Sequence, residues 1–112
     1  MAATIDTETL RDWVERGVDF VLVDTLPASV YCRHHIPGAI NIVSDDIETE
    51  APRRLPDRDR TVVVYCTSER CRRSEKAAAR LQWLGYRDVR DYVAGRRDWE
   101  DAGYAVDSVD DA

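Results

Sequence analysis

Cysteine is scarce: three residues in 112, Cys32, Cys66 and Cys71. They are too few, and odd in number, for a disulfide framework, which fits a reducing compartment with at least one free thiol. No apolar stretch approaches the ~20 residues a helix needs to cross a bilayer. Nor does Met1-Ala2-Ala3-Thr4-Ile5-Asp6 carry a basic region followed by an apolar run, so a cytoplasmic location and no membrane partner are expected. Positive charge is in deficit, with 16 basic residues against 22 acidic ones, a net charge of -6 and a pI near 4.8. Nucleic acid is therefore not expected as a partner. Lysine is almost missing, Lys76 being the only one; the remaining cations are arginines, whose planar fork suits fixed anion recognition.

What is present is one domain's worth of chain, long enough for a genuine core and too short for a separate cofactor domain. Residues 1–112 contain no repeat and no dividing linker. They read as a single domain with its core at about 5–106 and an acidic tail at 107–112 that should fray.

Strand and helix signals alternate along it. Asp6 or Thr7 can cap a helix with Leu10, Trp13 and Val14 at helical spacing and a stop at Gly17. Phe20-Val21-Leu22-Val23 reads as a buried strand closing at Asp24. Pro27 to His34 can hold a short helical turn, and Ile36-Pro37-Gly38 turns the chain into a strand at Ala39-Ile40-Asn41-Ile42. Ser44 to Arg60 is acidic, then rich in proline and arginine, and reads as a surface connection with at most one short helix. Thr61 to Tyr65 is the clearest strand. Ala77, Ala78, Leu81 and Leu84 form one stripe of a helix over Ser74 to Leu84, with Gly85 at its C-cap. A last strand lies within Tyr86 to Tyr92, and a short helix runs from Arg96 to about Ala102. Trp13 and Trp99 are spaced like core or rim aromatics; Trp83 is expected to be exposed on its helix. This alternation predicts an α/β fold, mainly parallel, with helices on both faces, and its reactive site beyond the carboxyl ends of the strands. Asp24 and Cys66 both fall there.

Cys66 follows a β-branched run and precedes Arg70, Arg72, Arg73 and a helix. Helix-terminal N–H groups and the positive end of the helix dipole would converge on such a sulfur. A free thiol with a pKa near ~8.5 is only about 3% ionised at pH 7, and the thiolate is the nucleophile. A pKa lowered by roughly two units, worth about 2.7 kcal/mol, is expected. Three cations at a helix start oppose the dipole, which makes an anionic ligand the natural counterpart. Cys71 reads either as a resolving thiol for Cys66 after oxidation or as packing. Cys32, His34 and His35 lie close together in sequence, but no second ligand cluster stands at ordered spacing, so no metal is expected. Asp24 is expected either to pair with an arginine of the loop or to cap the next turn.

Val23-Asp24-Thr25, Tyr31 and His35-Ile36-Pro37-Gly38-Ala39-Ile40-Asn41-Ile42 resemble the first signature of the rhodanese-like domains. Val64-Tyr65-Cys66, Ser74 to Leu81, Leu84-Gly85-Tyr86, Val89, Gly95, Trp99 and Ala102-Gly103-Tyr104-Ala105-Val106 resemble the remainder in order. The resemblance covers roughly residues 5 to 106. It implies a five-stranded, mostly parallel sheet between helices, and a cysteine, here Cys66, in a loop that wraps an anion. In active members of that family the cysteine takes a sulfane sulfur from thiosulfate or a persulfide and hands it to cyanide, a thiol or a protein acceptor, with no metal or organic cofactor. Transferred by position, Thr67, Ser68, Glu69, Arg70, Cys71 and Arg72 form the anion cradle. Arg70 and Arg72 orient the donor, His35 holds the turn into the strand at Ala39, and Thr25, Leu26 and the residues after Gly95 frame the mouth.

The usual loop of that family runs cysteine, four residues, arginine, often with glycine third after the cysteine. Here Glu69 takes the glycine's place, Cys71 the arginine's, and Arg72 comes one residue late. Losing the glycine restricts any left-handed backbone angle there. Cysteine, five residues, arginine is the count in related cell-cycle phosphatases and arsenate reductases, although Tyr65 stands where those phosphatases usually have histidine. Sulfur transfer is the leading reading, with a redox-sensing or non-catalytic interaction module and oxyanion chemistry as alternatives.

Overall fold

A computed structural model describes residues 2–109. Five strands form one sheet in the order β1-β5-β4-β2-β3, with every neighbouring pair parallel. The strands are β1 (Ala3–Thr4), β2 (Val21–Asp24), β3 (Ile40–Asn41), β4 (Val62–Tyr65) and β5 (Val89–Tyr92). The helices are α1 (Thr7–Arg16), α2 (Ala28–Arg33), α3 (Ile47–Arg54), α4 (Arg73–Trp83) and α5 (Gly95–Asp101). Among the described residues no helix is long and apolar enough to cross a membrane.

β4 is central and buried along its whole length, which is why its sequence is a continuous β-branched run. Its side chains alternate between faces. Val62 and Val64 join Val23 and Val89 against Ala77, Ala78 and Leu81 of α4 and Ile47 and Ala51 of α3. Val63 and Tyr65 point the other way, joining Leu22 and Tyr92 against Leu10 of α1 and Trp99 of α5. Each such valine or leucine contributes about 1.5–3 kcal/mol of apolar burial, and the two-residue period decides which helix it meets.

The helix ends follow the local chemistry. Asp6 accepts from the Thr9 N–H at 2.8 Å and so caps α1. Gly17 closes that helix at φ +67°, a left-handed angle that costs glycine nothing.

Four expectations need correction. Residues 44–60 are more than a surface connection: a 3-10 turn at Ser44–Asp46 leads into α3, and Ile47, Ala51 and Leu55 are core residues. Their i, i+4, i+8 spacing was masked by the acidic neighbours and by Pro52, which lies inside the helix. β1 went unread because two exposed residues carry no periodicity; their pairing with β5 makes them a strand. The strand expected over 39–42 shrinks to the two residues of β3. Finally, the tail does not fray at 107–109. His35 and Asp107 exchange backbone hydrogen bonds of 2.9 and 2.8 Å, and the Val109 N–H donates to Cys32 O at 2.9 Å. Residues 110–112 of that acidic stretch lie outside the described residues. Trp83 is 78% exposed, as its place on the helix implied.

Candidate active site

Cys66 is the first residue beyond β4 and continues the parity of Val62 and Val64, so its sulfur faces the start of α4. The residue is 1% exposed. α5 clamps the loop from behind: the Arg96 N–H donates to Cys66 O and the Arg97 N–H to Thr67 O, both at 2.9 Å. The approach is tight enough to demand glycine at position 95. Its φ is +77°, and a Cβ there would sit 2.7 Å from Thr67 C and O and from Ser68 N.

The sulfur environment differs from the expected one. Cys66 Sγ donates to Cys71 O at 3.2 Å and to Ser74 Oγ at 3.5 Å. Burial pushes the thiol up to about 11, and its hydrogen bond with the Cys71 thiol pushes the same way, against the Ser74 hydroxyl and N–H. The anticipated lowering is therefore absent in this resting geometry, because a proton shared with a carbonyl oxygen and a second sulfur favours the neutral form. The loop amides converge instead on Cys71. Burial raises that thiol, but the Cys66 thiol, the N–H groups of Arg73 and Thr67 and the Arg73 charge together bring it below its ordinary value. Of the two thiols, Cys71 is the readier to ionise.

The loop solves the missing glycine without a left-handed residue. A turn closes with the Cys71 N–H donating to Ser68 O at 3.0 Å, the Arg70 N–H reaches Ser68 Oγ at 3.4 Å, and no non-glycine residue among those described has positive φ. Glu69 and Arg70 are exposed. Arg72 is exposed too and pairs with Glu75 at 3.3 Å, so here its guanidinium lies outside the loop it was expected to close. Arg73 donates to Ser44 Oγ at 3.0 Å. Ser68, Glu69 and Arg70 meet Ala94, Arg97 and Asp98 around a mixed-charge depression of about 320 Å³. Arg97 was foreseen only as one of the residues after Gly95.

Asp24 pairs with no loop arginine. It accepts from Tyr65 Oη at 2.8 Å and from the Leu26 N–H at 2.9 Å, while Tyr65 Oη accepts from the Ile36 N–H at 3.0 Å. Burial raises the Asp24 carboxyl against those two donors and the nearby Arg96 and His35 charges. Thr25 and Leu26 are buried rather than at the mouth; Thr25 donates twice to Tyr65 O, by N–H at 3.0 Å and by Oγ1 at 2.9 Å. His35 bonds Tyr31 O at 2.8 Å through Nδ1 and stacks on the Tyr31 ring at 4.0 Å, steadying the turn before β3. Ser74, Asp91 and Arg96 were not singled out from the sequence. All three are buried polar residues; the available signal for Asp91 was an acid on the same strand parity as Val89, a core position.

Residues 6–102 match the rhodanese-like domain family. The chain belongs to that family. Among curated relatives, a protein of Bacillus subtilis (strain 168) described as the putative sulfur carrier protein YrkF is 30% identical over 95 residues, covering 85% of this chain and 49% of the relative. The thiosulfate sulfurtransferase PspE of Escherichia coli (strain K12) is 33% identical over 67 residues, covering 60% of this chain and 62% of the relative. The chain thus spans less than two thirds of either. The crystal structure of the BH2092 protein from Bacillus halodurans superposes with a TM-score of 0.89 at 27% identity, over 96% of this chain and 78% of that one. The rhodanese-like fold and its all-parallel sheet follow directly.

Proposed function

We propose that this rhodanese-like domain is a sulfurtransferase in which Cys66 is the nucleophile and the persulfide carrier. The observation that carries this reading is the placement of the Cys66 sulfur at the start of α4, bonded to Ser74 Oγ, where helix N–H groups and the helix dipole can hold an anion once the proton has left. In the first half-reaction the sulfur attacks the outer sulfur of thiosulfate, an S–S bond forms, and sulfite leaves with the electron pair of the bond it loses. In the second, a thiol, a protein acceptor or cyanide takes the terminal sulfur, and Cys66 regains its thiolate. Thr67, Ser68, Glu69, Arg70, Cys71 and Arg72 supply the backbone around the donor anion, with Arg70 and Arg97 at the depression as the cations that attract it. No metal or organic cofactor is needed. The names of the two curated relatives support the same chemistry. Free thiols at all three cysteines fit a reducing, cytoplasmic setting.

The test is the mass of the intact protein after thiosulfate treatment. One added sulfur on Cys66, removed by cyanide and missing in Cys66→Ser, is the expected result; an unmodified protein defeats the proposal. A second reading, a redox-sensing module, rests on the proximity of the two cysteines, Cys66 Sγ donating to Cys71 O at 3.2 Å. It expects a Cys66–Cys71 disulfide under peroxide without sulfur uptake from thiosulfate.

A further inference from the structure

The outer face of α4 carries a charge opposite to that of the chain. Residues 72–83 hold Arg72, Arg73, Lys76 and Arg80 against the single acid Glu75, on a chain whose net charge is -6. The remaining residues therefore carry nine more acids than bases. The inner stripe of α4, Ala77, Ala78 and Leu81, is committed to the core. With about 3.6 residues per turn, Arg72, Lys76, Ala79 and Trp83 share the opposite side, and all four are exposed. Arg73 and Arg80 flank them and are anchored from below, Arg73 donating to Ser44 Oγ at 3.0 Å and Arg80 to Ser44 O at 2.9 Å. Neutralisation within the patch is partial. Arg72 meets Glu75 at 3.3 Å and Arg80 meets Glu48 at 3.8 Å, whereas Arg73 and Lys76 have no carboxylate partner among the described residues. Arg72 and Arg73 also stand at the positive end of the α4 dipole, a repulsion that an outside anion would relieve. Trp83, at 78%, is the most exposed large apolar side chain among the described residues, and tryptophan and arginine are the residues enriched at the centres of protein interfaces. From Trp83 to Arg72 the stripe runs about 16 Å. Its Arg72 end meets the loop of Cys66, whose Sγ lies 3.5 Å from Ser74 Oγ in the first turn of the same helix.

We propose that the outer face of α4 is the docking surface for the protein that takes the Cys66 sulfur, and that this partner presents an acidic patch with an apolar side chain for Trp83. The surface presupposes Cys66 as the persulfide carrier proposed above and names the class of its acceptor. Lying along α4, the partner brings its own thiolate to the helix start. That thiolate attacks the terminal sulfur of the Cys66 persulfide and an S–S bond forms. The bond to Cys66 breaks with its electron pair on the Cys66 sulfur, and the partner leaves as a persulfide. A protein fits better than an anionic membrane or a nucleic acid because the patch is only one helix wide. Exposed charges are screened beyond ~8–10 Å, so a local acidic patch meets the four cations alone. A plane or rod of phosphates would extend onto the acidic remainder and be repelled.

Docking is read without sulfur transfer, so the two proposals fail separately. A fluorescein-labelled peptide of glutamate and leucine, without cysteine, is titrated with the reduced protein and followed by fluorescence anisotropy, and sulfur transfer from thiosulfate to cyanide is measured beside it. The peptide should bind saturably and lose that binding in ~1 M salt, where the Debye length is about 3 Å. Lys76→Glu, at an exposed side chain, should weaken binding about threefold, and Lys76→Glu with Arg80→Glu at least about tenfold. Trp83→Ser should weaken it about threefold. Circular dichroism and transfer to cyanide should match the parent in all three variants. No binding of the peptide, an affinity unmoved by these substitutions, or binding to phosphatidylglycerol vesicles with the same dependence on Lys76 and Arg80 would overturn the proposal. Loss of peptide binding in a protein that still passes sulfur to cyanide strikes the docking surface alone, whereas failure to take up sulfur strikes the proposed function.

Discussion

Asp24 and Asp91 are both buried aspartates, on β2 and β5, the two strands that flank β4, and burial raises both carboxyls. They face opposite sides of the sheet. Asp24 sits with Leu22 and Tyr65 on the α1 and α5 side, and its oxygens accept from Tyr65 Oη and the Leu26 N–H. Asp91 sits with Val89 on the α4 side, beside Ser74, with Oδ1 unpartnered. The first is a cross-brace that ties β2, β4 and the Ile36 turn together. The second retains unused acceptor capacity on the α4 side of the sheet. Burial of both and the same direction of shift thus accompany different work, and the partner set separates the two.

Substitutions can break or sharpen that contrast. The largest effect is expected for Asp24→Ala, which strands the Leu26 N–H and the Tyr65 hydroxyl in the core and should cost about 3 kcal/mol in denaturant unfolding. Tyr65→Phe, which leaves Asp24 and the Ile36 N–H each short of one bond, should cost about 2 kcal/mol in the same assay. The Asn variants give the sharpest comparison. A raised folded-state pKa means the native protein holds that proton more tightly than the unfolded chain. Its stabilising contribution is complete below the unfolded value of about 3.9 and is lost as pH rises through the folded midpoint. Asp91→Asn removes the buried charge at little expense in bonding, so its melting temperature should match the parent's below pH ~4 and exceed it at neutral pH. Asp24→Asn also removes the charge, but its amide presents donors to a hydroxyl and an N–H that need an acceptor, so it should melt below the parent at neutral pH. Shifts of the same sign would erase the distinction. Arg72→Ala should change stability least, by under about 0.5 kcal/mol, since its bond to Glu75 is an exposed pair.

Much of the scaffold was legible because its signals are local. Asp6, Gly17, the valine run of β4 and the alanine stripe of α4 declare themselves through capping geometry, φ > 0 and periodicity, each within a few residues. α3 was obscured because its apolar spacing is sparse and carries a proline. β1 was invisible because two residues become a strand only by pairing with β5. The nucleophile could be named from its place after β4 and before α4. Its protonation could not, because that depends on which of several nearby acceptors the sulfur finds.

By itself the sequence determined the alternation of strands and helices, the family, and the position of Cys66 at the carboxyl end of the central strand, since these rest on period, chain order and helix-terminal chemistry. Only the tertiary structure decided that the loop amides favour Cys71, that Arg72 turns outward to Glu75, and that Asp24 is braced while Asp91 is left open beside Ser74. Those outcomes depend on distances between residues far apart in the chain and on removal from water, and neither quantity is written in the order of the residues.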